Sequence, residues 1–307
     1  MARRPRCART GSPWPTDGEG VIANTGDNAS RCFRKAWEKT VISALLVSAA
    51  AAQALACAPP VGSDVLMRHD RPRFVVIGEV HGTVETPSAF GELVCAATEQ
   101  GPVVAALELP DLLQPQLEAA LEAPDEASAR AALEGTWFLN PRIDDGRTSR
   151  AMLALINRLR VLKASGRDVA IHAFVPSVPH VRGVGQAYSE LQMATKLSSA
   201  AYAHPNAKIL VLVGSIHASK IISRNPRVGR PAIAHLPQED VISLLVSSQG
   251  GEAWNCRETC GVHPMTAADD PNLRGVVMRS IDDGAYDGLL ALGPSTASPQ
   301  AALAATP

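Results

Sequence analysis

Short runs of β-branched and aliphatic residues alternate along this chain with longer stretches whose apolar positions recur every three or four residues. The first run, Phe74-Val75-Val76-Ile77, is bounded by glycine and too short for a helix, so it predicts a buried strand. A helix should follow, with Thr86 as N-cap and Pro87 at its first position, running to Gln100 and stopped by Gly101-Pro102. Val103 to Leu107 predicts a second strand, and helical patterns cover about 112–121 and 126–133. Met152, Leu155, Ile156, Leu159 and Leu162 share one helical face, which predicts a helix from about Thr148 to Ala164 closed by Gly166.

The alternation continues with a strand from Val169 to Phe174, a helix from Gly185 to Ala203 and a strand from Ile209 to Val213. Val241 to Val246 reads as another strand, with Pro231 to Leu236 and Gly275 to Met278 as weaker candidates for a mixed sheet edge. Strands and helices in this order imply an α/β fold with a mainly parallel, mixed-edge sheet flanked by helices. The domain is expected over residues 65–292. From Gly293 onward Ala, Ser and Pro dominate, which predicts a disordered tail over 293–307.

The N-terminal segment, residues 1–56, stands apart from this pattern. Arg34, Lys35 and Lys39 precede an apolar stretch from Val41 to Ala56 that ends in Ala54-Leu55-Ala56, an A-x-A cleavage pattern. The stretch is about 16 residues, short of the roughly 20 a membrane span needs, so it reads as a signal peptide rather than an anchor helix. The preceding residues exceed an ordinary n-region, which suggests a start codon assigned too early. Export to the periplasm or cell envelope follows as the expectation. Cys57 directly after the cleavage pattern makes a lipoprotein anchor the variant of that reading, although Leu55 is one place away from the usual lipobox position.

Export changes how the cysteines are read. Cys57, Cys95, Cys256 and Cys260 lie beyond the signal segment, and the last two flank a polar loop suited to a local disulfide. A Cys-Cys-His metal site with His263 is the alternative. Cys95 falls in a helical pattern and reads as a small buried hydrophobe. A chain of 307 residues, 46% hydrophobic and 19% charged, can bury a sizeable core. Its net charge of −1, with basic residues scattered, provides no electrostatic footprint for nucleic acid.

Chemistry concentrates where strands end. Gly-x-x-His occurs as Gly78-Glu79-Val80-His81 and again as Gly214-Ser215-Ile216-His217, each directly after a predicted strand. The pattern is short enough that chance supplies roughly 0.6 copies, so its placement carries the information. In an open parallel sheet the crevice lies beyond the carboxyl ends of the strands, so both histidines can face one pocket. Glu79 and Glu85 share the first loop, and Glu108 ends the second strand. Glu79, His81, Glu85, Glu108 and His217 therefore form a candidate catalytic cluster. Two arrangements suit it: His81, His217 and Glu79 as ligands of Zn, Mn, Co or Fe, or a glutamate-held histidine acting as general base toward water.

Two weaker candidates flank this set. Arg147 could orient a substrate carboxylate or phosphate, and His172 lies near the carboxyl end of its strand. No Gly-x-Ser-x-Gly elbow, phosphate loop or dinucleotide fingerprint occurs.

The double Gly-x-x-His layout, with glutamates after the first strand and ending the second, resembles the superfamily of Tiki proteases, TraB-type proteins, erythromycin esterases and ChaN-like haem-uptake lipoproteins. The resemblance spans about Phe74 to Val246. It implies an α/β domain whose pocket is built by both motifs, with His81 and His217 at the chemistry and Glu79, Glu85 and Glu108 beside it. The ChaN branch binds haem, and its loop follows the first histidine with Asp and further His. Here the loop reads Gly82-Thr83-Val84-Glu85-Thr86-Pro87, a departure from that pattern. For haem, Tyr188 is the candidate ligand; it shares a helix with Tyr202, and core packing is the alternative role for both.

The leading expectation is an exported hydrolase acting on a small-molecule or peptide substrate, by a divalent metal or by histidine-activated water. The alternative is a haem or iron-binding envelope protein without catalysis, and a third reading is a structural module whose site has decayed. Membrane association is expected only through the signal segment or a lipid on Cys57, and nothing in the sequence sets an oligomeric state.

Overall fold

The computed structural model describes residues 56–68, 72–177, 185–223, 225, 226 and 228–303. The expected signal segment, apart from Ala56, lies outside them. After a short helix α1 (Asp64–Met67), the chain runs β1 (Phe74–Glu79), α2 (Glu85–Ala97), β2 (Val103–Pro110), α3 (Gln114–Leu121), α4 (Glu126–Ala132), α5 (Arg150–Ala164) and β3 (Val169–Val175). Then follow α6 (Gln186–Ala203), β4 (Lys208–Gly214), the single-turn α7 (Ser215–Ala218) and β5 (Val241–Val246). Four further strands complete it: β6 (Glu252–Cys256), β7 (Cys260–Pro264), β8 (Gly275–Ile281) and β9 (Tyr286–Ala291).

Seven strands form one sheet in the order β3-β2-β4-β1-β5-β9-β8, and all pairings are parallel except β8 with β9. The mainly parallel, mixed-edge α/β architecture is thus present. Parallel strands buried on both faces need no polar side, which explains the unbroken apolar runs. Val75, Ile77, Leu210 and Leu212 join the core beneath α2, α3 and α5, while Phe74, Val76, Ile209 and Val211 join the core beneath α6. Successive side chains of one strand therefore belong to opposite layers.

Element boundaries shift by a few residues. Helix α2 begins at Glu85 with Val84 as N-cap, so Thr86 is a buried first-turn residue, and α5 is capped by Ser149. Residues 231–236 form no strand and instead contain a 3-10 turn, Ile233–His235. Strand β9 interrupts its apolar run with Asp287-Gly288, because each serves the backbone around it. Asp287 pairs with Lys220 Nζ at 2.8 Å and accepts from the Ser243 amide at 2.8 Å. A side chain on Gly288 would start 2.5 Å from the Val277 carbonyl oxygen of the antiparallel neighbour.

The cysteines form two disulfides, Cys57–Cys95 and Cys256–Cys260. The first corrects two expectations at once. Cys95 is not a free hydrophobe, and the Cys57 sulfur that a lipid anchor would need is engaged in a disulfide. The second closes the β6–β7 hairpin, as a local bridge should, and leaves no cysteine ligands beside His263, whose Nε2 lies 2.8 Å from the Thr259 carbonyl.

The tail is the largest correction. Residues 293–303 are ordered, and Ser298, Gln300 and Ala301 are buried. Backbone pairing rather than apolar side chains holds this strap: the Val84 amide donates to Thr296 O at 2.9 Å, the Ser298 amide to Gly82 O at 2.8 Å and the Glu252 amide to Ser295 O at 2.7 Å. It also caps α5, whose first amides would otherwise lack acceptors. The Arg150 amide donates to Pro299 O at 2.8 Å and the Ala151 amide to Ser298 Oγ at 2.9 Å. Composition signals disorder only when nothing in the fold offers backbone partners. Removing the hydroxyl in Ser298→Ala is expected to lower unfolding free energy by about 1 kcal/mol, measured by urea denaturation; no loss would mean that the cap is idle.

Candidate active site

β2, β4 and β1 lie side by side, and their carboxyl ends bring Glu108, Gly214 and Glu79 to one rim. Glu79 is in register with Gly214 across the β1–β4 pair. Beyond Leu107 the pairing of β2 shifts register, an irregularity of the kind that re-aims a strand-end side chain. Glu108 Oε2 accepts the Gly214 amide at 2.6 Å. The missing side chain of Gly214 is equally needed: a Cβ there would lie 3.1 Å from His81 Nε2 and 3.3 Å from Glu108 Oε2. The glycine of the second motif makes room for the histidine of the first.

Both histidines converge on Glu108. His81 Nε2 stands 3.4 Å from Glu108 Oε2, and His217 Nε2 stands 3.8 Å from Glu108 Oε1. On its other side, His81 Nδ1 lies 3.0 Å from Glu79 Oε1. Arg147 Nη1 approaches Glu108 Oε1 at 3.6 Å, while its Nε donates to Asp145 at 3.0 Å and its guanidinium stacks over Trp137. Arg147 thus belongs to the site, through an acid rather than through a free fork.

The sequence reading missed Glu190. This fully buried carboxylate on α6 meets His217 Nδ1 with both oxygens, at 2.8 and 2.9 Å, and accepts the Ala232 amide at 2.8 Å. Its signal was present: Glu190 shares the buried stripe of α6 with Met193, Ala194 and Leu197, where a charge has no reason to be without a partner.

Two expected members stand elsewhere. Glu85 Oε2 accepts the Thr296 amide at 2.9 Å, so it fastens the C-terminal strap. His172 lies on the edge strand β3 in a separate pocket with Gln114, Glu118 and His204, and burial lowers its pKa. Tyr188 is 41% exposed and does not line the pocket of His81 and His217, while Tyr202, at 90% exposure, is no core residue.

Charge follows from this geometry. Burial disfavours charge on Glu108, yet His81, His217 and Arg147 outweigh it and hold the carboxyl at about 2. Burial likewise opposes charge on His81, but Glu108 and Glu79 raise it to about 10. His217 is raised by Glu190 and Glu108 against the effect of burial. Burial pushes the Glu79 carboxyl up, even with His81 beside it. The rim opens into a cavity of about 400 Å³ whose wall includes His81, His217, Asp145 and, from the β6–β7 hairpin, Asn255 and Arg257.

The ligands expected for a metal, His81, His217 and Glu79, are turned toward carboxylate and imidazole partners rather than round one common point. Both nitrogens of His81 face carboxylates, Nδ1 toward Glu79 Oε1 at 3.0 Å and Nε2 toward Glu108 Oε2 at 3.4 Å. Among the described residues, no three His, Cys, Asp or Glu side chains are grouped to hold an ion.

The α/β fold, with its mainly parallel sheet, is similar to that of an erythromycin esterase. The specific likeness is to a histidine mutant of erythromycin esterase EreC in its open conformation, 11% identical, covering 78% of this chain and 95% of that one with a TM-score of 0.53. At this identity the likeness establishes the fold alone. Weaker similarities are to the type III effector HopBA1, at 16% identity over 79% of this chain and 98% of that one with a TM-score of 0.47, and to a Bacillus cereus protein, at 13% over 74% and 90% with 0.46. No protein-family model matches the chain, and neither does any curated protein.

The coupled His81–Glu108 pair sets a pH window. His81, raised from 6.5 to about 10, contributes stability that is full below 6.5 and lost as pH climbs through 10. Glu108, lowered from 4.5 to about 2, contributes stability that is full above 4.5 and lost as pH falls through 2. The stability gap between the wild type and His81→Gln should therefore peak between about pH 4.5 and 6.5 and shrink toward pH 10. A gap that is flat across that range in denaturation curves would refute the pairing.

Proposed function

We propose that the protein is a hydrolase of esters, in which His217 activates water without a metal. The observation that carries this reading is the Glu190–His217 pair. A buried carboxylate with both oxygens at Nδ1 fixes the tautomer that carries its proton there and leaves a lone pair on Nε2, 3.8 Å from Glu108 Oε1, on a ring that lines the cavity. In this reading, water between His217 and a bound ester loses a proton to Nε2 as its oxygen bonds the carbonyl carbon. The C–O bond to the alcohol then breaks, and His217 returns the proton to the leaving oxygen. His81 and Arg147 keep Glu108 charged, and Glu108 in turn stabilises the His217 imidazolium that forms midway.

His81 is a positioning residue here, since a ring protonated up to about 10 cannot accept a proton at neutral pH. Export to the cell envelope remains part of the proposal, with the two disulfides suiting an oxidising compartment.

A panel of p-nitrophenyl esters tests the reading on the full chain. His217→Ala should lower kcat by about 100-fold or more with little change in KM, the usual share of a general base. Glu190→Gln should lower kcat by roughly tenfold and shift the rising, acidic limb of the pH profile to lower pH, because the neighbouring charge that raises His217 is gone. The wild-type rate should rise with pH through a value above the ordinary 6.5 of histidine. Hydrolysis unaffected by His217→Ala, or absent from every ester tried, would sink the proposal.

A further inference from the structure

One residue of the candidate site also belongs to a second hollow beside it. Ile216, between Ser215 and His217 on α7, lines the cavity of about 400 Å³ that holds the two histidines and a neighbouring, more open hollow of about 650 Å³. Ile221 and Ile222 line the second hollow from the segment after α7. Ile216, Ile221 and Ile222 are 54%, 39% and 65% exposed, so three branched hydrocarbon side chains close together in the chain are left facing water. Single apolar residues on a surface need no explanation, whereas several around one hollow mark a surface that binds something.

The sheet fixes where these isoleucines stand. Ser243 Oγ donates to the Ala218 carbonyl at 2.7 Å, the Lys220 amide donates to Ala285 O at 2.9 Å, and Lys220 Nζ pairs with Asp287 at 2.8 Å. The hydroxyl groups of the same wall are already engaged. Tyr286 Oη donates to Ser215 O at 2.8 Å, Ser219 Oγ donates to Ile221 O at 3.1 Å, and Ser223 Oγ accepts the Asn225 amide at 3.1 Å. Apart from Asp282 and Asp283 in the turn between β8 and β9, the side chains lining the hollow therefore offer a ligand hydrocarbon. Those two acids disfavour an anionic occupant, such as an acidic lipid surface.

We propose that the hollow is a subsite for an unbranched hydrocarbon chain of the ester substrate, laid over Ile216, Ile221 and Ile222. This deepens the hydrolase reading and rests on it. Continuity selects the occupant: Ile216 is common to both walls, so a chain attached to an ester at His217 passes over it into the hollow. Contacts made there, away from the reacting bond, raise kcat/KM.

On the full chain, p-nitrophenyl acetate, butyrate and hexanoate vary the acyl chain, and ethyl, butyl and hexyl acetate vary the alcohol chain. In one of the two series kcat/KM should rise by up to about fourfold per methylene, the worth of a buried CH₂, and by at least about tenfold overall. Ile222→Asp and Ile221→Ser, both at exposed positions, should each remove most of that rise, and Ile222→Leu, which keeps the hydrocarbon, should retain it. A flat profile in both series, with hydrolysis of the shortest ester still dependent on His217, overturns the subsite and leaves the hydrolase reading standing. No hydrolysis of any ester removes both. A chain-length preference undiminished in Ile222→Asp and Ile221→Ser puts the chain elsewhere and overturns the proposal. So does dimerisation, or binding to neutral phosphatidylcholine vesicles, that Ile222→Asp abolishes, because the isoleucines would then serve a second copy or a bilayer.

Discussion

Glu108 is a charge taken out of water at the end of a central strand, and the rim of the sheet is arranged so that it can remain a charge. Four groups from three parts of the chain hold it there: the Gly214 amide and His217, His81, and Arg147. Removing any one of them leaves a buried carboxylate less compensated, a loss of a kind that costs about 3–5 kcal/mol when a buried pair is broken. Because the partners come from the loop after β1, the junction of β4 with α7 and the loop before α5, the carboxylate also sets the relative positions of those elements. The geometry of the candidate site and the packing of the strand ends are thus one constraint.

Two histidines in nearly equivalent sequence contexts acquire opposite characters from it. His81 lies between Glu79 and Glu108 and is held as a cation. His217 has its strong partner, Glu190, on one nitrogen only, and its other nitrogen meets Glu108 at longer range and the open cavity. A repeated motif therefore stands in two different charge settings, and the difference resides in residues outside the motif.

What the sequence made legible follows from what each signal encodes. Buried parallel strands write themselves as unbroken apolar runs, so β1, β2, β4 and β5 were readable, and with them Glu79, His81, Glu108 and His217 at their ends. Glu190 escaped because a glutamate on a helix is ordinarily solvated, and only its place on the apolar stripe of α6 marks it otherwise. Glu85 and His172 were drawn in by proximity along the chain, whereas the fold turns Glu85 to Thr296 and leaves His172 on the edge strand. Strand β9 and the strap escaped for a common reason: their places are held by backbone hydrogen bonds, which composition does not record.

The strap joins the loop after β1, the start of α5 and the base of the β6–β7 hairpin, all of which border the rim. Residues 293–303 are synthesised after every strand of the sheet. A nascent chain can therefore assemble its core before the loops around Glu108 and His217 have their final fastening. The order of synthesis would then delay the final fastening of these loops until the scaffold beneath them is complete.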